Sequence, residues 1–190
     1  MPHAVSDLPS QWLLRFAHLI PGQGRVLDLA CGYGRNSLWL AGQGFKVVAL
    51  DRDAEALRGL AGIQGIEAMS YDVEAGAWPF TAASFEAVVV THYLHRPLLG
   101  HLFEALRPGG VLLYETFAVG NEQFGRPSNP NFLLKQSELL AVLPSKMEVV
   151  AFEQGIVYRP KPAVLQRLCA IAADGRCRDL EPGQGQIGLR

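Results

Sequence analysis

The sequence has little cysteine and no long hydrophobic segment. Three cysteines occur in 190 residues, Cys31, Cys169 and Cys177, at a spacing that matches no zinc-binding pattern. We expect them to be small buried residues in a reducing compartment, and we predict no metal site. No apolar run approaches the roughly twenty residues of a transmembrane helix, and the first residues lack a basic segment followed by an apolar one. These absences predict a cytoplasmic protein without a signal peptide.

An excess of either charge is also absent. The formal net charge is −1, and the acidic and basic residues are interleaved along the chain. Surfaces that bind nucleic acid or membranes usually have a basic stripe, so the sequence gives no strong signal for either partner. The 49% of hydrophobic residues indicates a globular protein. We predict a single domain over residues 1–190, with a helical N-terminal cap over 1–22 and a flexible tail over 181–190, in an oligomeric state that stays open.

Short β-rich segments alternate with segments of helical period, which is typical of parallel βαβ units. Strands are predicted at 26–30, 46–50, 66–71, 86–91 and 111–115, and a C-terminal antiparallel hairpin at 148–158 and 163–172. The fourth strand is nearly continuously apolar, which predicts a central position buried on both faces. The pattern therefore predicts an α/β fold with a doubly wound, mostly parallel sheet of seven strands, an antiparallel edge and helices on both faces.

The connecting segments predict helices and one sharp break. The helices are predicted at 11–20, 36–42, 54–60, 98–106 and 136–143. Asp53 precedes a run of Ala, Glu and Leu, so it is the expected N-cap of the third helix. The breaker cluster at 107–110 is expected to end the fourth helix before the fifth strand begins at Val111.

A glycine-bearing loop at 28–36 follows the first strand and opens a helix, where a ligand can approach the backbone closely. Two acids belong to this pattern. Asp28 lies at the end of the first strand, where the loop begins, and Asp51 ends the second strand about twenty residues later. A carboxylate 4 Å from a phosphate costs roughly 1 kcal/mol in water and about 4 kcal/mol at a surface-like dielectric. Asp28 therefore favours S-adenosylmethionine, a cation without phosphate, over NAD or FAD. A nicotinamide-dependent oxidoreductase stays open as an alternative.

Two strand-end acids have expected contacts with the nucleoside. Asp51 can accept hydrogen bonds from both ribose hydroxyls, or it can be a helix-capping or solvated acid. Asp72 can accept a hydrogen bond from the adenine amine while the Val73 N–H donates one to a ring nitrogen of the adenine. Alternatively, Asp72 can be a turn residue.

Several of these segments resemble motifs of the class I S-adenosylmethionine-dependent methyltransferases. The segment 26–34 resembles the first motif of that family, 71–73 its adenine motif and 106–110 its turn before strand five. Within the family, 31–38 is similar to the small tellurite-resistance-type methyltransferases. The resemblance implies a Rossmann-like methyltransferase fold and direct in-line methyl transfer, with S-adenosylhomocysteine as the product.

The residues expected at the cofactor lie at or after the ends of the first four strands. They are Asp28, Ala30, Cys31, Gly32, Tyr33, Gly34, Arg35, Asn36, Asp51, Arg52, Asp72, Val73 and Thr91. His92, Tyr93 and His95 follow the central strand and are the candidate catalytic residues. Either histidine can be a general base or a structural residue, and Tyr93 can stack on a ligand or simply pack.

The sequence gives less information about the residues that bind the methyl acceptor. Arg96 and Arg126 can hold an anionic acceptor, although the ordinary surface role is the favoured interpretation. The loop over 116–133 is either a binding lid or an irregular cap with Phe124 and Phe132 buried. A small-molecule acceptor is expected. Methylation of RNA or protein with the help of a partner, and cofactor binding without catalysis, stay open.

Overall fold

The computed structural model describes residues 8–176 and contains one seven-stranded sheet. Its strands are β1 Arg25–Leu29, β2 Lys46–Asp51, β3 Ile66–Ser70, β4 Phe85–Thr91, β5 Leu106–Phe117, β6 Met147–Val157 and β7 Ala163–Ala172. They lie in the order β3-β2-β1-β4-β5-β7-β6, and β1 to β5 pair in parallel. Strand β7 is antiparallel to both β5 and β6. The predicted α/β fold, including the hairpin at one edge, is confirmed.

Four of the five α-helices in the described residues are shorter than predicted, and the first and third pass directly into 3-10 turns. The α-helices are α1 Gln11–Phe16, α2 Arg35–Gly42, α3 Ala54–Leu57, α4 Leu99–Ala105 and α5 Glu138–Ala141. Short 3-10 helices occupy Ala17–Leu19, Arg58–Leu60, Arg96–Leu98, Asn121–Phe124 and Pro130–Phe132. Such tight turns satisfy terminal backbone groups that a longer α-helix would bond internally. Asp53 caps α3 as predicted, because its Oδ1 accepts from the N–H of Glu55 at 3.0 Å and of Ala56 at 3.3 Å.

Alternate residues of the central strands pack on opposite faces of the sheet. Val26 and Val89 belong to the core that includes Trp12 of α1. Leu27 belongs to the opposite core, which includes Phe103 of α4. Burial on both faces explains the continuous apolar run of β4, in which residues 87–90 are fully buried. The sheet is thus rigid where its strand ends must position a site.

The predicted start of strand five at Val111 is wrong, because β5 begins at Leu106. Leu106 lies opposite Phe85 and Val111 lies opposite Ala87, so residues 107–110 oppose a single residue of β4. Proline and glycine are tolerated in such a bulge, where the ladder is interrupted. The breaker cluster therefore distorts the strand instead of preceding it.

The described cysteines are buried, as predicted. Cys31 and Cys169 are free thiols, and burial raises the pKa of both, that of Cys169 to about 12. Cys177, the predicted tail and residues 1–7 of the predicted cap lie outside the described residues. Within residues 8–176, no helix has the length and apolar character to cross a bilayer, and no group of three metal-ligating side chains converges.

Candidate functional site

A cavity of about 400 Å³ opens at the carboxyl ends of the parallel strands. Its lining residues, which define the strand-end cavity, are Leu29, Ala30, Leu50, Asp51, Arg52, Tyr71, Asp72, Val73, Glu74, His92, Tyr93, Leu94, Thr116, Phe117, Pro127 and Phe132. The strand order reverses between β1 and β4, and doubly wound sheets bind ligands in the crevice at such a reversal. The cavity therefore lies where the fold favours a ligand.

The glycine loop has three residues in the left-handed region. The φ angles of Ala30, Gly32 and Gly34 are 53°, 56° and 77°. A Cβ atom at Gly34 would lie 2.5 Å from side-chain carbons of Leu60, whereas one at Gly32 would meet no atom within 4 Å. Gly34 is therefore required both by conformation and by packing against the 3-10 turn that follows α3. Ala30 accepts conformational strain at the cavity wall, which is where such strain tends to concentrate.

Asp51 at the end of β2 both orients this loop and lines the strand-end cavity. Its Oδ2 accepts from the Gly32 N–H at 2.8 Å, and its Oδ1 accepts from the Asp53 N–H at 2.9 Å. The helix cap is supplied by Asp53, so a capping role does not explain Asp51. Each carboxylate oxygen can accept more than one hydrogen bond, which leaves Asp51 able to bind ligand hydroxyls.

The segment after β3 adds two further acids to the cavity. The Oδ1 of Asp72 accepts from the Glu74 N–H at 2.9 Å, so Asp72 is a turn residue that also lines the cavity. Within the described residues, the lining contains the carboxylates of Asp51, Asp72 and Glu74 and one permanently charged cation, Arg52. The strand-end cavity is consequently acidic.

Asp28 lies beneath the glycine loop and does not line the cavity. It is fully buried, and its Oδ2 accepts from the Ser37 hydroxyl at 2.6 Å. Its Oδ1 has no hydrogen-bond partner in the described part of the chain. Loss of hydration raises the pKa of Asp28 to about 6, against the lowering effect of the Ser37 hydrogen bond. The acid contributes negative charge below the loop rather than a surface contact.

Other predicted cofactor residues also lie outside the cavity lining: Cys31, Gly32, Tyr33, Gly34, Arg35, Asn36 and Thr91. Tyr33 is exposed, and the Arg35 Nη1 donates to the Leu8 carbonyl at 2.9 Å. The Asn36 Nδ2 donates to Thr91 Oγ1 at 3.1 Å, which links α2 to the end of β4. These residues support the loop around the cavity.

A buried polar network beside the loop was not predicted. Glu115 at the end of β5 accepts from the Ser10 hydroxyl at 3.0 Å and from Arg167 Nε at 2.6 Å. The Ser10 N–H donates to Asn36 Oδ1 at 2.9 Å, and the Ser10 hydroxyl caps α1. The network joins α1, α2, β5 and β7. Its one sequence signal was a charged residue at the end of a buried strand, the same signal that identified Asp51.

His92 is the candidate catalytic residue with the clearest geometry for proton transfer. Its backbone has a φ of 57°, and its N–H donates to the Glu115 carbonyl at 2.8 Å. The imidazole lines the cavity and stacks on Phe117, with ring centroids 5.0 Å apart. Desolvation by the surrounding chain, with help from cations that include Lys161, lowers the pKa of His92 below its usual 6.5, although Glu115 opposes this. The neutral imidazole that results can accept a proton.

Tyr93 and His95 are held by the same acid. The Tyr93 hydroxyl donates to Glu74 Oε1 at 3.1 Å, and His95 Nδ1 lies 3.7 Å from Glu74 Oε2. Burial and the charge of Glu74 raise the pKa of Tyr93, so its hydroxyl stays protonated. The buried Tyr114 donates its hydroxyl to the Tyr93 carbonyl at 2.9 Å. His95 does not line the cavity. The contacts of Tyr93 and His95 with Glu74 therefore favour a structural role in the cavity wall over a role in proton transfer.

The two arginines considered for an anionic acceptor differ. Arg96 makes a two-pronged ion pair with Glu138, at 2.6 and 2.9 Å, and donates to the Leu133 carbonyl at 2.9 Å. It is a structural residue that holds the loop against α5. Arg126 has no such pairing within residues 8–176. It lines a second cavity, which Phe117 lines as well.

The loop over 116–133 is not a buried cap. Phe124 and Phe132 are 38% and 54% exposed, so the alternative of an irregular cap with both side chains buried is wrong. Phe132 and Pro127 line the strand-end cavity. The loop therefore forms part of the cavity wall, and its aromatic side chains remain available for contact with a ligand.

Solved structures show the same fold at low sequence identity. TehB from Haemophilus influenzae superposes with a TM-score of 0.70 at 19% identity, covering 89% of this chain and 64% of that chain. A SAM-dependent methyltransferase from Methanosarcina mazei gives a TM-score of 0.65 at 18% identity, covering 83% and 96%. These similarities confirm the Rossmann-like architecture of the sheet.

Sequence relatives and a family model give the family. The putative methyltransferase YqeM of Bacillus subtilis is 32% identical over 130 residues, which are 60% of this chain and 50% of that protein. A demethylmenaquinone methyltransferase of Clavibacter sepedonicus is 37% identical over 103 residues, 50% and 41% of the two chains. The chain thus spans about half the length of these curated relatives. A model of the methyltransferase domain matches residues 1–126. Because this match covers more than half of the chain, the chain belongs to the methyltransferase domain family, as its glycine loop and strand-end acids indicated.

Proposed function

We propose that this protein transfers a methyl group from S-adenosylmethionine to a small-molecule acceptor. The observation that carries the proposal is the acidic strand-end cavity, where Asp51, Asp72 and Glu74 outnumber the single cation Arg52 among the described lining residues. S-adenosylmethionine carries a sulfonium and an ammonium group and no phosphate, so this charge attracts it. The pyrophosphate of a dinucleotide would be repelled by the same acids. Membership of the methyltransferase domain family supports this choice.

The residues present fit the proposed cofactor. Asp51 keeps acceptor capacity on both oxygens after its two backbone hydrogen bonds, which suits the paired hydroxyls of a ribose. Asp72 and the backbone of Val73 are suited to the adenine edge. The unpartnered Oδ1 of Asp28 is a buried acceptor beneath the loop, and a cationic ligand above it would offset part of its cost.

When bound, S-adenosylmethionine supplies a methyl group on a positively charged sulfur, open to in-line attack by a nucleophile. The chain has to position the acceptor and to remove its proton. His92 is suited to the second task, since its lowered pKa leaves a ring nitrogen unprotonated at neutral pH and its ring faces the cavity. Tyr93 and His95 hold the wall through Glu74.

A small-molecule acceptor is supported by the site and by the relatives. The acceptor side is concave and built from the loop over 116–133 together with the β6–β7 turn. Two relatives are named demethylmenaquinone methyltransferases, which indicates a small molecule as the acceptor of those proteins. We further propose a cytoplasmic location, which the unpaired thiols of Cys31 and Cys169 favour.

Calorimetric titration with S-adenosylhomocysteine, with NADH as the control ligand, tests the cofactor. We expect binding of S-adenosylhomocysteine and none of NADH. Tight binding of NADH that S-adenosylhomocysteine cannot displace, or binding of neither ligand, would contradict the proposal. Transfer of a radiolabelled methyl group to a panel of small acceptors then tests catalysis. Tight cofactor binding without transfer to any acceptor would instead favour a binding module.

A further inference from the structure

A second cavity adjoins the strand-end cavity across Phe117, which lines both. Its volume is about 420 Å³. It lies between the loop that follows β5 and the turn that joins β6 to β7. The residues that define this loop cavity are Phe117, Asn121, Phe124, Arg126, Lys161, Pro162 and Ala163.

The loop cavity has positive charge that is not neutralised. Arg126 and Lys161 both line it, and neither makes a hydrogen bond or ion pair from its side chain to another described residue. No carboxylate lines the cavity within residues 8–176. Arg96 and Arg167, by contrast, are paired with Glu138 and Glu115. Two unpaired cations facing one concavity favour an anionic ligand.

Aromatic surface accompanies the two cations. Phe117 and Phe124 both line the loop cavity, and Phe124 remains 38% exposed. Aromatic faces and edges of this kind contact a planar ring favourably at centroid separations of roughly 4.5–7 Å. The cavity therefore offers a ring-binding wall beside a cationic end.

The backbone around the loop cavity is fixed. Asn121 is 2% exposed; its Nδ2 donates to the Pro127 carbonyl at 2.9 Å and its Oδ1 accepts from the Val164 N–H at 3.1 Å. The Ala118 N–H donates to the Val164 carbonyl at 3.0 Å. These bonds join the loop to β7 at two points. The cavity is thus a built feature of the fold.

His92 connects the loop cavity to the chemistry of the other cavity. Its imidazole lines the strand-end cavity and stacks on Phe117 at 5.0 Å. The charge of Lys161 in the loop cavity also contributes to the lowered pKa of His92. A ligand in the loop cavity can therefore present an atom beside His92.

We propose that the loop cavity binds the methyl acceptor and that the acceptor is an aromatic carboxylate with a separate hydroxyl group. This inference rests on the proposed function. The carboxylate pairs with Arg126 and Lys161, and the ring lies against Phe117 and Phe124. The hydroxyl gives its proton to His92 while its oxygen lone pair bonds to the methyl carbon. The carbon–sulfur bonding pair stays on sulfur, so the products are a methyl ether, protonated His92 and S-adenosylhomocysteine.

Ligand-observed NMR and calorimetry on the full chain, with and without saturating S-adenosylhomocysteine, test this acceptor class. The probes are hydroxybenzoates, hydroxycinnamates and hydroxynaphthoates, each with its neutral primary amide. We expect at least one acid to bind about tenfold or more tightly than its amide. Arg126→Gln and Lys161→Gln should each lower the affinity for that acid by about tenfold. Arg159→Gln removes a charge from the β6–β7 turn, as Lys161→Gln does, but outside the cavity lining. It should change the affinity by less than about twofold.

Each other outcome has a defined meaning. The proposal is overturned if S-adenosylhomocysteine binds but no acid binds better than its amide. Equal losses in Arg126→Gln and Arg159→Gln would overturn it as well, because they would indicate general electrostatic attraction. If the acids bind with the expected dependence on Arg126 but S-adenosylhomocysteine does not bind, the anion site stands and the proposed function fails.

Discussion

The strand-end cavity and the loop cavity share Phe117 but carry opposite charge. Acids at the ends of β2 and β3 line the first, whereas Arg126 and Lys161 line the second. Asp51 is the last residue of β2, and Asp72 and Glu74 lie in the turn just after β3. Arg126 lies in the long loop after β5, and Lys161 lies in the turn between β6 and β7. Loops tolerate change more readily than strands, so the residues of the loop cavity can change without disturbing the sheet. The family match ends at residue 126, and Lys161 lies beyond it.

The largest expected effect is at the junction of the two cavities. His92→Ala should lower methyl transfer by about 100-fold or more, because a positioned base contributes that much, with little change in S-adenosylhomocysteine affinity. Steady-state kinetics and calorimetry on one preparation measure both quantities. His101→Ala removes an imidazole that stacks on Trp78 outside both cavities and is the matched control. A loss confined to S-adenosylhomocysteine affinity would show that His92 contributes to cofactor binding and not to proton transfer from the acceptor.

Asp51→Ala tests the acidic side directly. S-adenosylhomocysteine should bind about 5- to 150-fold more weakly, about 1–3 kcal/mol, since the change removes a charged acceptor and an anchor of the Gly32 N–H. Asp53→Ala removes the same charge two residues away and should lower stability through loss of the α3 cap, with affinity nearly unchanged. Calorimetry gives the affinities, and unchanged affinity in folded Asp51→Ala would remove this residue from the site.

Asp28→Asn tests how much the buried negative charge beneath the strand-end cavity lowers the stability of the folded protein. The pKa of Asp28 is raised from 3.8 to about 6 in the folded protein, so the fold binds this proton more tightly than the unfolded chain does. Its contribution to stability is therefore complete below about pH 4 and is lost as the pH rises through about 6.

The Asp28→Asn variant lacks this titration. Its stability relative to wild type should rise between about pH 4 and 6 and then level, at a gain on the order of 3 kcal/mol. Denaturant unfolding across this range measures the difference, and exposed Asp53→Asn is the control. A difference that does not vary with pH would show that Asp28 does not titrate there. Weaker binding of S-adenosylmethionine is expected to accompany the gain in stability.

The smallest expected effect is on stability, and it compares a residue of the cavity wall with one elsewhere in the fold. Ala30 and Ala83 both have a φ of 53°, but Ala30 alone of the two lines the strand-end cavity. Replacement of either by glycine should raise stability by roughly 0.5 kcal/mol, because relief of about 1–2 kcal/mol of left-handed strain is partly offset by entropy. Thermal unfolding of both variants tests this. A gain at Ala83 without one at Ala30 would show that the cavity loop relaxes differently.

The positions of β2 and β4 were predicted well because burial on two faces produces continuous apolar runs. Helix lengths were predicted less well, since α1 and α3 pass into 3-10 turns over residues that the sequence pattern does not distinguish from α-helix. The bulge at 107–110 escaped prediction because proline and glycine indicate a break without indicating whether the strand continues beyond it. Asp51, Asp72 and His92 were predicted from their places at or just after strand ends, and all three line the strand-end cavity.

The sequence alone determined the order of elements, the acids at the strand ends and the family, since these depend on local pattern along the chain. The tertiary structure decided the depth of Asp28, the pairing of Arg96 with Glu138, and the place of Arg126 in the lining of the loop cavity. It also brought Lys161 to Phe117 across more than forty residues of sequence. Burial and charge neutralisation depend on which distant segments meet, and no periodicity in a single sequence records that.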